Sequence, residues 1–264
     1  MTASEVTSAI KNRSISSTDF LSEIAKLSDG MRRRAQRFEP GTLCVYRSRV
    51  FHDQQRPVNK SQVSYPPPAL SRVQRASGIG EQVFYASAGM PTTLAESRVS
   101  AGEFLAVSKW KNTKTAFLQE IGFLQNEDER EILYHSIFTN LGEELYEFSS
   151  KLGTHLMAGP QLAGLLYPSI ISQNQSHNVA LKKAFVDDGL RLVSVSYYRV
   201  NVSDDVRYQV EELDFAVPEE NGRLQWKGRK KQWNLLKQGD ELRFVSNGWD
   251  WDAFRPDGTY VEPN

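Results

Sequence analysis

One cysteine, Cys44, is all the thiol this 264-residue chain carries. That excludes an internal disulfide framework and any zinc site built from several thiolates, and it fits a reducing cytoplasm as the working compartment. A basic excess is missing too. Lysine plus arginine and aspartate plus glutamate stand at 32 each, so bulk charge offers nothing to a nucleic acid and no direct contact with one is expected. No stretch approaches the roughly 20 apolar residues of a membrane span, so no membrane partner is expected. The opening "MTASEVTSAIKNRSISSTDF" has no continuous apolar run, and export by a signal peptide is not expected either.

Other absences narrow the chemistry. The four histidines, His52, His135, His155 and His177, are scattered without the paired spacing of a metal site, and no metal is expected. "GIG" at 78–80 lacks the third glycine of a dinucleotide fingerprint and precedes a strand where a helix should follow. There is no Walker phosphate loop and no G-x-S-x-G serine elbow. Cys44, inside a strand pattern, reads as a small core residue, and His135, mid-helix among apolar positions, as a packing residue.

What is present is an ordinary globular composition, 39% hydrophobic and 24% charged, long enough to bury a sizeable core. Residues 1–40 read as a peripheral helical extension, with Phe20, Leu21, Ile24 and Leu27 at helical spacing. The basic runs Met31 to Arg34 and Lys227 to Lys231 read as solvated faces. "TLCVYRSRV" (42–50) is the first strand, and a long polar connection with three prolines follows. "EQVFYAS" (81–87) is a second strand, with a short helix after it. "EFLAVSKWK" and "KTAFLQEIGFL" are expected to form a meander turning near Asn112. A long helix is expected from Glu127 to about Ser150, and a short one over "PQLAGLL" from Pro160. "RLVSVSYYRVNV" alternates as a strand, and the last sixty residues, rich in turn signals, suggest short strands or hairpins.

The join at 82–97, "QVFYASAGMPTTLAES", sets a tyrosine, Tyr85, at a strand end and a carboxylate, Glu96, in the helix beyond. Thr93-x-x-Glu96 satisfies the capping-box pattern, so Glu96 either closes a helix start or serves a pocket needing one negative charge.

Four pieces in order bear on that choice: "YRSR" at 46–49, Arg75 to Gly78, "VFYAS…TLAES" across 83–97, and "LLYPSI…HNVAL" across 165–181. This arrangement resembles the RES domain family, mostly toxins of bacterial toxin–antitoxin pairs, over about residues 42–203. The resemblance implies an α+β fold, a compact ADP-ribosyltransferase-like, mixed, mainly antiparallel β core flanked by helices, with NAD⁺ bound in a cleft as substrate. It implies destruction of NAD⁺ at the nicotinamide–ribose bond, as glycohydrolase or phosphorylase. Protein ADP-ribosylation and a non-catalytic binding module are the alternatives. By the same resemblance Glu96, Arg47 and Ser169 are catalytic candidates, and Arg47, Arg75, Tyr85 and Asn178 hold the dinucleotide. Ser77 stands where many members carry asparagine. A cognate Xre-type antitoxin is implied as partner, and a homodimer is left open. The expected organisation is an N-terminal extension over 1–40, the catalytic domain over 41–203 and a β-rich C-terminal extension over 204–264.

The chemistry suits those residue types. Nicotinamide leaves as a neutral base, so the barrier lies in positive charge growing on the ribose, which a carboxylate stabilises. A diphosphate favours planar arginine forks over lysine point charges. Tyr85 can stack on a flat ring, and Ser169 and Asn178 can hydrogen-bond an amide or a ribose.

Overall fold

The computed structural model describes residues 1–28, 34–52, 55–123, 129–140, 145–169, 176–203, 207–228, 241–246, 251–254 and 260–261. Most of the basic runs 31–34 and 227–231 lie outside these residues. The fold is α+β. Helices α1 (Ala3–Lys11), α2 (Ser17–Ser28), α3 (Met90–Glu96), α4 (Glu129–His135), α5 (Tyr146–Met157) and α6 (Lys183–Gly189) surround one sheet. Its strands are β1 (Ala35–Phe38), β2 (Cys44–Phe51), β3 (Val83–Ser87), β4 (Phe104–Asn112), β5 (Ala116–Glu120), β6 (Gly164–Pro168) and β7 (His177–Lys182). The sheet continues with β8 (Leu190–Ser203), β9 (Arg207–Pro218), β10 (Leu224–Trp226), β11 (Glu241–Ser246), β12 (Trp251–Phe254) and β13 (Tyr260–Val261).

The strand order is β1-β5-β6-β7-β3-β2-β4-β8-β9-β11-β12-β13, with β10 on β9. Every described ladder is antiparallel except β5 with β6. The centre of the sheet, β7-β3-β2-β4, is therefore assembled from distant stretches of chain. Its two faces are both covered. Leu165 and Tyr167 of β6 join the cluster of α1, α2, α4 and α5, whereas Leu166 between them faces a second cluster around Phe84, Trp110 and Val186.

Double burial explains one departure from expectation. "GLLYP" is strand β6, not part of a helix from Pro160, and all five of its residues are buried. A strand with protein on both faces shows no polar alternation and cannot be told from a buried helix by pattern. The expected β4–β5 meander is also replaced. β4 pairs with β2 and β8, and β5 pairs with β1 and β6. Asn112 is a brace instead of a hairpin turn: its Oδ1 accepts from Leu43 N at 2.9 Å, and its Nδ2 donates to Glu39 O at 2.7 Å and Lys114 O at 2.9 Å.

The helix expected over 127–150 is interrupted, its first residues and 141–144 lying outside the described ones. Helix α4 passes into a π-turn at Ser136–Asn140, and α5 starts anew at Tyr146. His135 ends α4 and its Nδ1 lies 2.8 Å from Gly122 O. Residues 1–28 are not peripheral in packing. Val6, Ile10, Phe20 and Ile24 are fully buried, and Phe20 meets the α5 residue Phe148 edge-on with centroids 5.4 Å apart. The hairpin β8–β9 runs across position 203 within the sheet. Among the described residues no helix is long and apolar enough to cross a membrane.

Candidate active site

Helix α3 carries the carboxylate, though at the end opposite to a capping role. Gly89 is the N-cap and Pro91 lies in the first turn, where its missing N–H costs nothing. Glu96 is the last helical residue. Thr93 is not its capping partner. The Thr93 hydroxyl donates to Tyr46 O at 3.0 Å, and Ser48 Oγ donates back to Thr93 O at 3.1 Å. Thr92 Oγ1 hydrogen-bonds Ser176 Oγ on the other flank. A seven-residue helix is too short to be stable alone. These two threonines fasten it to β2 on one side and to the approach to β7 on the other.

A carboxylate at a helix C-terminus faces the negative end of the dipole and needs compensating donors. It has them. Ser169 Oγ and Asn178 Nδ2 both donate to Glu96 Oε1, each at 2.7 Å. Asn178 is oriented in turn by Ser87 Oγ, which donates to its Oδ1 at 2.7 Å. Oε1 is thus saturated by protein, and Oε2 takes neither bond. Glu96 itself remains exposed.

Glu96 opens onto a cavity of about 520 Å³, whose wall includes Arg47, Arg72, Arg75, Tyr85, Arg98 and Asn178. Such a volume is that of a small-molecule site. Four arginines stand against one carboxylate among the described lining residues, so the space favours an anion.

Arg47 comes from β2. Its Nη1 donates to Tyr85 O at 2.6 Å and its Nε to Ser64 O at 3.1 Å, with the guanidinium 5.5 Å from the Phe84 ring centroid. Burial, and next the nearby Arg49, pull its pKa down to about 10. It is still a cation at neutral pH. Arg75 sits in a tight turn closed by Gln74 N to Ser77 O at 2.9 Å and Ser77 N to Gln74 O at 3.2 Å. Its guanidinium lies 5.6 Å from the Tyr146 ring centroid, and its buried Nη1 has no acceptor among the described residues.

Tyr85 holds that turn. Its hydroxyl accepts from Ala76 N at 2.9 Å and bonds Ser77 Oγ at 3.0 Å. Burial pushes the phenol above its ordinary pKa, so it stays protonated. On the far side, α5 approaches so closely that a Cβ on Gly153 would lie 2.6 Å from Ala76 Cα. The arginine turn is therefore gripped between β3 and α5.

All six expected residues meet around this space. Ser169 is fully buried behind Glu96, donates to its Oε1 and is not among the residues of the cavity wall. Tyr85 spends its hydroxyl on the arginine turn. The wall also holds residues that the sequence did not single out, among them Tyr46, Tyr146 and Arg98. Tyr46 adjoins Arg47 in the same motif. Tyr146 lies within the stretch expected as one long helix, and Arg98 follows a short helix in a polar stretch. Among the described residues no group of His, Cys, Asp and Glu is arranged to hold a metal ion.

Residues 44–210 match the family model of the RES domain. That span contains every residue of the cavity wall, from Tyr46 to Asn178. No curated protein matches the chain.

Proposed function

The chain belongs to the RES domain family, and from that premise we propose that it consumes NAD⁺ by breaking the bond between nicotinamide and ribose. One observation carries the proposal. A carboxylate, Glu96, is held by Ser169 and Asn178 at the wall of a cavity that it shares with four arginines.

The ribose–nitrogen bond breaks with its electron pair passing to the nicotinamide ring, which leaves neutral and needs no proton. Positive charge then grows on the ribose carbon. Glu96 stabilises it, through space or by holding a ribose hydroxyl on Oε2. Its fixed Oε1 matters here, because a carboxylate that need not reorganise contributes more in the transition state than a mobile one. Arg75, with a donor still unspent, takes the diphosphate. Arg47 gives part of its fork to carbonyls and offers the rest, and Asn178 lies beside the ribose.

An acceptor then attacks the sugar: water gives ADP-ribose and releases a proton, and phosphate gives the phosphorylated sugar. The same donor pocket serves transfer to a protein side chain. Purified chain incubated with NAD⁺, with and without phosphate, separates these by product, and labelled protein marks the third. Loss of no NAD⁺ at high protein concentration defeats the enzymatic reading and leaves a binding module.

The biological setting proposed is that of a toxin with a cognate antitoxin, by the family's habit. Leu70 and Ile79, exposed by 65% and 83%, flank the arginine segment and suit an inhibitor that covers the cleft. Toxicity on expression that Glu96→Gln relieves supports this setting, and harmless expression of the active enzyme opposes it.

A further inference from the structure

Helix α3 is capped by Ser97 in the right-handed region, and Arg98 follows at φ 49°. That is the position after a helix cap where glycine is favoured, because a side chain at positive φ crowds the backbone. Arginine there carries a conformational cost, and the position sits two residues from Glu96. Such costs persist where function holds them.

The other non-glycine at positive φ among the described residues is an internal comparison. Arg13, at φ 53°, follows the cap of α1 in the same way, and it is exposed on the surface away from the cavity. Arg98 differs in that it lines the cavity. Helix termination alone accounts for Arg13. It does not account for an arginine that lines an anion-favouring space.

Two of the other three wall arginines, Arg47 and Arg75, leave a role open beside Arg72. Arg47 has committed Nε and Nη1 to the carbonyls of Ser64 and Tyr85. A diphosphate presents acceptor oxygens on two phosphorus centres, more than Arg75 can saturate with one fork. We propose that Arg98 is a substrate-contacting residue of this cavity, gripping the diphosphate of the dinucleotide together with Arg75. This rests on the NAD⁺ reading for the identity of the substrate.

The experiment uses the full chain with Arg98→Gly, Arg98→Lys and, as control, Arg13→Gly. Thermal denaturation, ADP binding by calorimetry, and kcat and KM for NAD⁺ are measured for each. Arg98→Gly is expected to hold or slightly raise the melting temperature, because glycine suits positive φ. It should weaken ADP binding and raise KM by roughly tenfold, the worth of one charge-assisted hydrogen bond, with kcat within about twofold. Arg98→Lys should fall between, keeping the charge but losing the fork. Arg13→Gly should leave ADP binding and KM unchanged.

Unaltered ADP affinity in Arg98→Gly, or a parent chain that binds no ADP, overturns the proposal. So does a melting temperature that falls by several degrees together with binding, since that marks a structural arginine. A parent that binds ADP through Arg98 yet leaves NAD⁺ intact upholds this contact and removes the NAD⁺-consuming reading instead.

Discussion

Thr93 Oγ1 and the carbonyl of Tyr46 lie 3.0 Å apart, and that hydrogen bond ties the helix of Glu96 to the strand of Arg47. The return bond from Ser48 to Thr93 O closes the tie. Thr93→Val keeps the shape of the buried side chain and removes the donor. It should cost about 1–2 kcal/mol of stability, since Tyr46 O loses a partner, and lower kcat more than it raises KM. Thr93→Ser should restore most of both. Denaturant unfolding and steady-state kinetics check this, and an undamaged Thr93→Val beside a damaged Thr93→Ser would mean that methyl packing matters, not the bond.

Ser169 poses a sharper alternative. A serine that merely orients Glu96 and one that attacks the substrate differ by orders of magnitude when removed. Because its hydroxyl is buried and donates to Glu96 Oε1, Ser169→Ala should lower kcat only about tenfold, through a loosened carboxylate, and leave KM near its parent value. A collapse to background would assign Ser169 to the chemistry itself.

Gly153 has no polar group at all, yet it should matter for substrate binding. Its Cβ position is 2.6 Å from Ala76 Cα, inside the turn that presents Arg75. Gly153→Ala should push the turn off Tyr85 Oη and destabilise the chain by about 1–3 kcal/mol through overpacking. KM for NAD⁺ should rise with it. Calorimetric unfolding and a substrate titration test this pair of effects, and an unchanged KM would show that the turn absorbs the methyl without moving Arg75.

Proton linkage gives a flat profile through the neutral range although the cation is buried. Arg47 has its pKa lowered from its ordinary value to about 10, with burial the first cause. Below pH 10 it is protonated in both folded and unfolded chains, so stability does not vary through this group between pH 6 and 9. Above about pH 10 the folded chain releases a proton that the unfolded chain keeps, so its contribution to stability rises with pH while its attraction for phosphate falls. ADP affinity should therefore be constant in its Arg47-dependent part up to about pH 9 and weaken beyond. Calorimetry of the parent and of Arg47→Gln across that range measures the difference.

The strands that carry Arg47 and Tyr85 were legible, because β-branched and aromatic residues in β2 and β3 alternate around a short register. The convergence of Glu96, Ser169 and Asn178 was reachable only through the ordered motifs, since no local pattern joins residues 73 and 82 positions apart. Of the two readings open for Glu96, closing a helix start is excluded, because it is the last residue of α3. Thr93 looked like a cap, whereas Gly89 and Pro91 were the truer start signals. Strand β6 was missed for a different reason, protein on both of its faces. Gly153 and Arg98 could not be found at all from residue type, because their importance lies in a close approach and in a backbone angle.

Glu96→Gln is nearly isosteric and keeps a carbonyl oxygen for Ser169 and Asn178, so the helix and the arginine cavity should survive it. Free nicotinamide released from NAD⁺ by the parent chain and by this variant, at equal concentration and with matched melting temperatures, is the decisive comparison. Steady release by the parent and a loss of at least about a hundredfold in the variant is the expected result. Equal release from both, or none from the parent, would contradict a catalytic carboxylate at this position.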